Sequence, residues 1–148
     1  MTTKWTMTID CADPALMARF WCTALGYTES DPPKGWDSWE AFLTDQNVPA
    51  DEWNDGAAIS DPNGVLPALS FLKVPEPRTV KKNRLHLDLQ VSGGRAEPQP
   101  LREQRIRTVA ERLLTAGAII RHEIPKDGTT DLDHLWMSDP EGNDFCVV

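Results

Sequence analysis

Apolar Trp5, Met7 and Ile9 alternate with polar Thr6, Thr8 and Asp10, a period of two that predicts a half-buried strand over 4–12. The pattern then lengthens to helical spacing. Leu16, Met17, Phe20, Trp21 and Ala24 fall on one stripe, with Asp13 as N-cap, Pro14 in the first helical position and Gly26 as a left-handed terminator. Segments 39–43, 57–60 and 67–74 read as strands, and the acidic, non-periodic 46–55 as a loop. Alternation returns over 84–91, with Leu85, Leu87, Leu89 and Val91 on one face and His86, Asp88 and Gln90 on the other. A second helix is predicted over 101–116, turning Ile106, Val109, Ala110, Leu113 and Leu114 inward and stopping at Gly117. Strands at 118–122, 135–138 and 144–148 complete the reading, with a polar loop over 123–133.

The order is therefore β-α-β-β-β, twice, and the sequence itself is duplicated. Asp61-Pro62-Asn63-Gly64 returns as Asp139-Pro140-Glu141-Gly142, an offset of 78. Thr8-Ile9-Asp10 returns at the same offset as His86-Leu87-Asp88. A unit of this length is too small to bury its own apolar face, so two copies are expected to share a core or a cleft within one domain. The expected organisation is a module at about 4–74, a basic, proline-containing linker over 75–83 and a second module at about 84–148. The apolar face of each opening strand should lie under its helix, with Trp5 and Trp21 packed in the core. The polar faces, Thr6, Thr8, Asp10, His86, Asp88 and Gln90, either look into a concave ligand site or form an ordinary wet face of an open sheet.

Composition narrows the class. Of 148 residues, 40% are hydrophobic and 26% charged, ordinary for a soluble globular protein. No apolar run is long enough to cross a bilayer, 1–10 lacks the apolar core of a secretory signal, and the terminal Cys146-Val147-Val148 does not fit a prenylation signal. Three cysteines without a close-spaced pair argue for reduced thiols and a cytoplasmic setting, with Cys11 and Cys22 as small buried side chains. The net charge of −8 is uneven: −7 over 1–74, +5 over 75–122 and −6 over 123–148. The basic middle is not read as a nucleic-acid surface, because the flanking acid would repel phosphate and much of the positive charge sits on the solvated face of a helix.

These residues resemble the vicinal oxygen chelate superfamily, and within it the glyoxalase-like group related to bleomycin-resistance proteins. The resemblance rests on Ile9-Asp10-Cys11-Ala12-Asp13-Pro14, Phe20-Trp21, Leu25-Gly26-Tyr27, Val74-Pro75-Glu76-Pro77, the stretch from Asn83 to Leu89, and Asp139-Pro140-Glu141-Gly142-Asn143. It implies an α+β fold: two βαβββ modules forming a cupped, mostly antiparallel sheet with helices outside. It also implies a small-molecule ligand and a divalent ion (zinc, nickel, iron or manganese) in the metal-using members. Such an ion acts as a Lewis acid on vicinal substrate oxygens in lyases, isomerases and dioxygenases. His86 falls on the family's ligand position. Its counterpart is Thr8 by the repeat offset, or Thr6 by spacing back from Asp13, and threonine is a poor ligand. The final strand offers Cys146 where a Glu is expected, and a thiolate binds softer metals.

Two readings follow. In one, the chain is an enzyme in which His86 is a metal ligand or general acid/base, Cys146 is a second ligand, Asp10 and Asp88 are candidate oxygen ligands one pleat from the expected position, and Thr8, Asp10, Asp88 and Gln90 orient the substrate. In the other it is a metal-free protein that sequesters a drug-like or antibiotic molecule, with Trp136 lining the site. Trp36, Trp39 and Trp53 read either as an aromatic wall for a flat or cationic ligand or as indoles pinning a surface loop. His122, His134, Asp131 and Asp133 read either as a metal cluster or, the favoured reading, as solvated residues around a turn. A homodimer is expected, since sheets of this kind leave edges to cover. No Ser-His-Asp set, phosphate-cradling glycine loop or paired-cysteine zinc signature occurs.

Overall fold

The computed structural model describes all of Met1–Val148. The chain divides into two compact units, one of Met1–Cys22 with Gly26–Pro77 and one of Thr23–Leu25 with Arg78–Val148. In the first, β1 (Met7–Cys11) leads through α1 (Pro14–Leu25) and β2 (Thr28–Glu29) to α2 (Trp39–Asp45), a 3-10 segment (Ala50–Asp55), β3 (Gly56–Ser60) and β4 (Leu69–Lys73). In the second, β5 (Leu87–Leu89) leads through α3 (Gln99–Thr115) to β6 (Ile119–Pro125), β7 (Leu132–Ser138) and β8 (Asp144–Val147). The sheet orders are β1-β4-β3-β2 and β5-β8-β7-β6, the same topology twice. In each sheet the opening strand pairs in parallel with the last strand, and the other two pairings are antiparallel. The α+β fold with duplicated, mostly antiparallel sheets expected from the sequence is the one observed.

Local chemistry accounts for the helix ends. Asp13 accepts the Leu16 amide at 3.1 Å, and Asn54 ties the same end down by donating to Asp13 and accepting from the Ala15 amide, both at 2.9 Å. Gly26, at φ 71°, closes α1 with its amide on the Cys22 carbonyl. The two Asp-Pro turns use one device. Asp61 accepts the amides of Asn63, Val65 and Leu66, and Asp139 those of Glu141 and Asn143.

The second sheet is two-faced. Across it, Asp88 pairs with Cys146, Cys146 with Trp136, and Trp136 with His122, so one row of side chains crosses four strands. Strand alternation puts Leu89, Phe145, Val147, Leu135 and Met137 on the other face, all buried. There α3, which packs on β6, β7 and β8, contributes Ile106, Ala110 and Leu113. Each fully buried large side chain stabilises by about 1.5–3 kcal/mol. The first sheet buries Ile59, Leu69 and Phe71 in the same way, in a unit whose helix contributes Met17, Phe20 and Trp21.

Several expectations are corrected. Residues 39–43 are helical, not extended: Ser38 caps the turn by accepting the Ala41 amide, and Trp39 and Phe42 share a helix face with rings 5.9 Å apart. The loop over 46–55 contains the 3-10 segment, and the two-residue β2 was not legible at all. Trp5 is 60% exposed and Leu85 83% exposed, because each lies just before its strand begins rather than under a helix. Leu114 is exposed one position past the α3 stripe, and Cys22 is half-buried while Cys11 is buried.

Candidate functional site

Residues of the second unit line a half-open cavity of 480 Å³. Its floor is written at period two. His86, Asp88, Gln90 and Ser92 all line it, because alternate residues of an extended chain return to the same face. Past β5 this extension is kept by the Val91 and Ser92 amides, both donating to the Val148 carbonyl. Cys146 enters from β8, directly across from Asp88.

His86, Asp88 and Cys146 each point one ligand atom to a common place, and these atoms lie within 4.8 Å of one another. His86 Nε2 is 3.4 Å from Asp88 Oδ1. Imidazole, carboxylate and thiol make a three-ligand set of the kind that leaves a divalent ion with open positions, and the thiolate favours zinc or another borderline-soft metal over magnesium or calcium. The donor set therefore fits the divalent ion that the resemblance implies. The Cys146 thiol is pushed above its ordinary pKa, first by burial and then by the neighbouring Asp88 carboxylate. A cation at this place would reverse that balance.

An adjoining hollow of 270 Å³ shares His86, His134 and Cys146 and adds Lys82, Ile124, Trp136 and Asp144. Trp136 is fixed by its indole N–H donating to Asp144 at 2.8 Å. The Lys82 ammonium stands 4.5 Å from the Trp136 ring centroid, and the His122 ring lies 5.1 Å away at a 34° tilt. His134 Nδ1 is held 3.0 Å from Asp133, which fixes the orientation of the imidazole.

Of the residues singled out in the sequence, His86, Asp88, Gln90 and Cys146 thus meet in one cavity and Trp136 in its neighbour. Asp88, one strand period from His86, brings its carboxylate within 4.8 Å of the His86 and Cys146 ligand atoms. Thr8 and Asp10 lie exposed on β1 of the first unit, opposite Ser70 and Leu72. Sequence reasoning passed over Ser92, Arg95 and Arg102, and took Asp133 and His134 for solvated turn residues. Arg102 left one signal: it precedes Ile106 and Ala110 at intervals of four, so it occupies the buried stripe of α3. Trp39 donates to the Ser30 carbonyl and Trp53 to that of Val48, contacts that pin these two indoles to the loop.

A family model described as a glyoxalase-like domain matches residues 6–148. The chain belongs to this family, within the vicinal oxygen chelate superfamily. Among solved structures, a possible glyoxalase from Bacillus cereus is 18% identical with TM-score 0.57, covering 100% of this chain and 99% of its own. A glyoxalase/bleomycin resistance protein/dioxygenase family enzyme from Burkholderia phytofirmans is 12% identical with TM-score 0.58, covering 98% and 97%. The fosfomycin resistance protein FosX from Listeria monocytogenes, in a variant complexed with Mn(II) and 1S,2S-dihydroxypropylphosphonic acid, is 10% identical with TM-score 0.59, covering 99% and 91%. At these identities the likeness is one of fold. No curated protein matches the sequence. No helix is long and apolar enough to cross a membrane.

Proposed function

We propose that this glyoxalase-like protein is a divalent-metal-dependent enzyme acting on a small organic molecule with vicinal oxygens, of the lyase, isomerase or dioxygenase kind. The observation that carries the reading is the convergence of His86, Asp88 and Cys146 in one cavity. These three side chains would hold the ion, which when bound supplies Lewis acidity to substrate oxygens. The other work falls to the chain itself. Gln90 orients the molecule by hydrogen bonding, Trp136 offers a flat apolar wall in the adjoining hollow, and His134 Nε2 moves a proton while Asp133 fixes the ring. Its setting is read as cytoplasmic, from three free thiols.

Elemental analysis of tag-free protein incubated with zinc, nickel, iron or manganese tests this. One equivalent per chain, lost in His86→Ala and in Cys146→Ser, is expected. No metal under any loading, together with small-molecule binding that survives His86→Ala, would replace the enzyme with a sequestering protein.

A further inference from the structure

We propose that the end of the cavity formed by Ser92, Arg95 and Arg102 is an oxyanion subsite, so that the molecule accepted here carries a carboxylate or phosphonate group. The proposal rests on reading the cavity as a small-molecule site, but not on the metal.

Arg102 is the decisive residue. It is only 6% exposed and shares the α3 stripe with Ile106, Ala110 and Leu113. A guanidinium stays charged, and burying it is unfavourable unless its donors are used. Here Nη1 donates to Gln99 Oε1 at 3.0 Å, and Gln99 is itself anchored on the Leu132 carbonyl. The opposite edge makes no hydrogen bond and only a long ion pair. Nε is buried without a partner, and Nη2 stands 3.8 Å from Asp133 Oδ1, beyond hydrogen-bond reach. Nε and Nη2 together form the side-on fork that takes two oxygens of one carboxylate or phosphonate.

The surrounding charge points the same way. Asp133 is the one carboxylate for two guanidinium groups, with Arg95 Nη1 at 3.1 Å and Arg102 at 3.8 Å, and it also holds His134 at 3.0 Å. Its carboxyl sits below the usual range, held down first by the His134 hydrogen bond and then by Arg95. Two guanidinium groups around one carboxylate leave one positive charge in excess. The helix is tied to this end of the floor by Arg105, which donates to the Ser92 carbonyl at 2.9 Å. Gly93, at φ 85°, permits that approach, since a Cβ there would collide with the Arg105 guanidinium. From Asp88 to Ser92 an extended chain rises about 13 Å, an upper span for one small molecule reaching from the ligand triad to the arginines.

The experiment is calorimetric titration of metal-free protein at low salt with glutarate, phosphonoacetate and the neutral glutaramide. Both anions, or whichever of the two fits the fork, should bind, and glutaramide should not. Arg102→Gln and Arg95→Gln should each weaken anion binding about tenfold or more. Arg102→Lys should not restore it, because an ammonium lacks the fork. Equal binding of glutaramide and glutarate, no anion binding, or affinities unchanged in both Gln variants would overturn the proposal. Should Arg102→Gln not fold, Arg95→Gln decides, its side chain being 73% exposed. Metal-free protein keeps the tests separate: anion binding without metal uptake removes the triad reading alone, and His86-dependent metal without anion binding removes the subsite alone.

Discussion

Asp88 stands directly across from Cys146 in the parallel pairing of β5 with β8, and the corresponding place in the first sheet is filled by Asp10 and Leu72. The two sheets share topology and the carboxylate, but Thr8 replaces the imidazole and Leu72 the thiol. The duplication therefore keeps the scaffold in both units and the imidazole and thiol in one.

Thr8→His with Leu72→Cys should install a second triad in the first unit. Both positions are exposed, so the fold should tolerate the change. Metal content is expected to rise from one to two equivalents per chain by elemental analysis; an unchanged content would show that register alone does not make the site.

Cys146→Ser should lower zinc affinity by more than the roughly 10–100-fold lost when only a supporting residue is removed. The native thiol is raised above its ordinary pKa, so at neutral pH it is protonated without metal and must release its proton on binding. Affinity should consequently climb with pH in the native protein and climb less in Cys146→Ser, as competition with a chromophoric chelator would show. Parallel pH profiles would count against a thiolate ligand.

Asp139 is 1% exposed and accepts the Glu141 and Asn143 amides and the Asn143 side-chain amide. Asp139→Ala leaves those donors without their acceptor and should cost about 2–4 kcal/mol in urea denaturation. Asp61→Ala removes the same device at an exposed turn and should lower stability less.

Asp13 has a depressed carboxyl pKa, caused first by the Asn54 hydrogen bond and then by the Leu16 amide. A depressed folded value means that its stabilisation is complete above the unfolded value near 3.8 and fades as pH falls through the folded one. Asp13→Asn should keep the cap and flatten this acid limb, whereas Asp13→Ala should cost about 1 kcal/mol at neutral pH. Stability against pH, followed by circular dichroism, reads both.

What the sequence determined by itself was the duplicated order of elements, the ends of α1 and the membership of His86, Asp88 and Gln90 on one strand face. Each is a local property: period two, period 3.6, and capping residues next to the ends they cap. Helix α2 was also locally encoded, by Ser38 and the Trp39–Phe42 spacing, but its few aromatic residues resemble a strand equally well. The exposure of Trp5 and Leu85 was out of reach because periodicity continues past the point where pairing stops. Only the tertiary structure decided that Cys146 faces Asp88, since the register of a parallel pair is set by the intervening chain and the packing of α3, not by either strand alone. It also decided that Arg102, Asp133 and Arg95 form one charged cluster. Three residues separated by a helix start and a hairpin carry no common spacing, and a buried arginine reads in sequence as one more solvated charge.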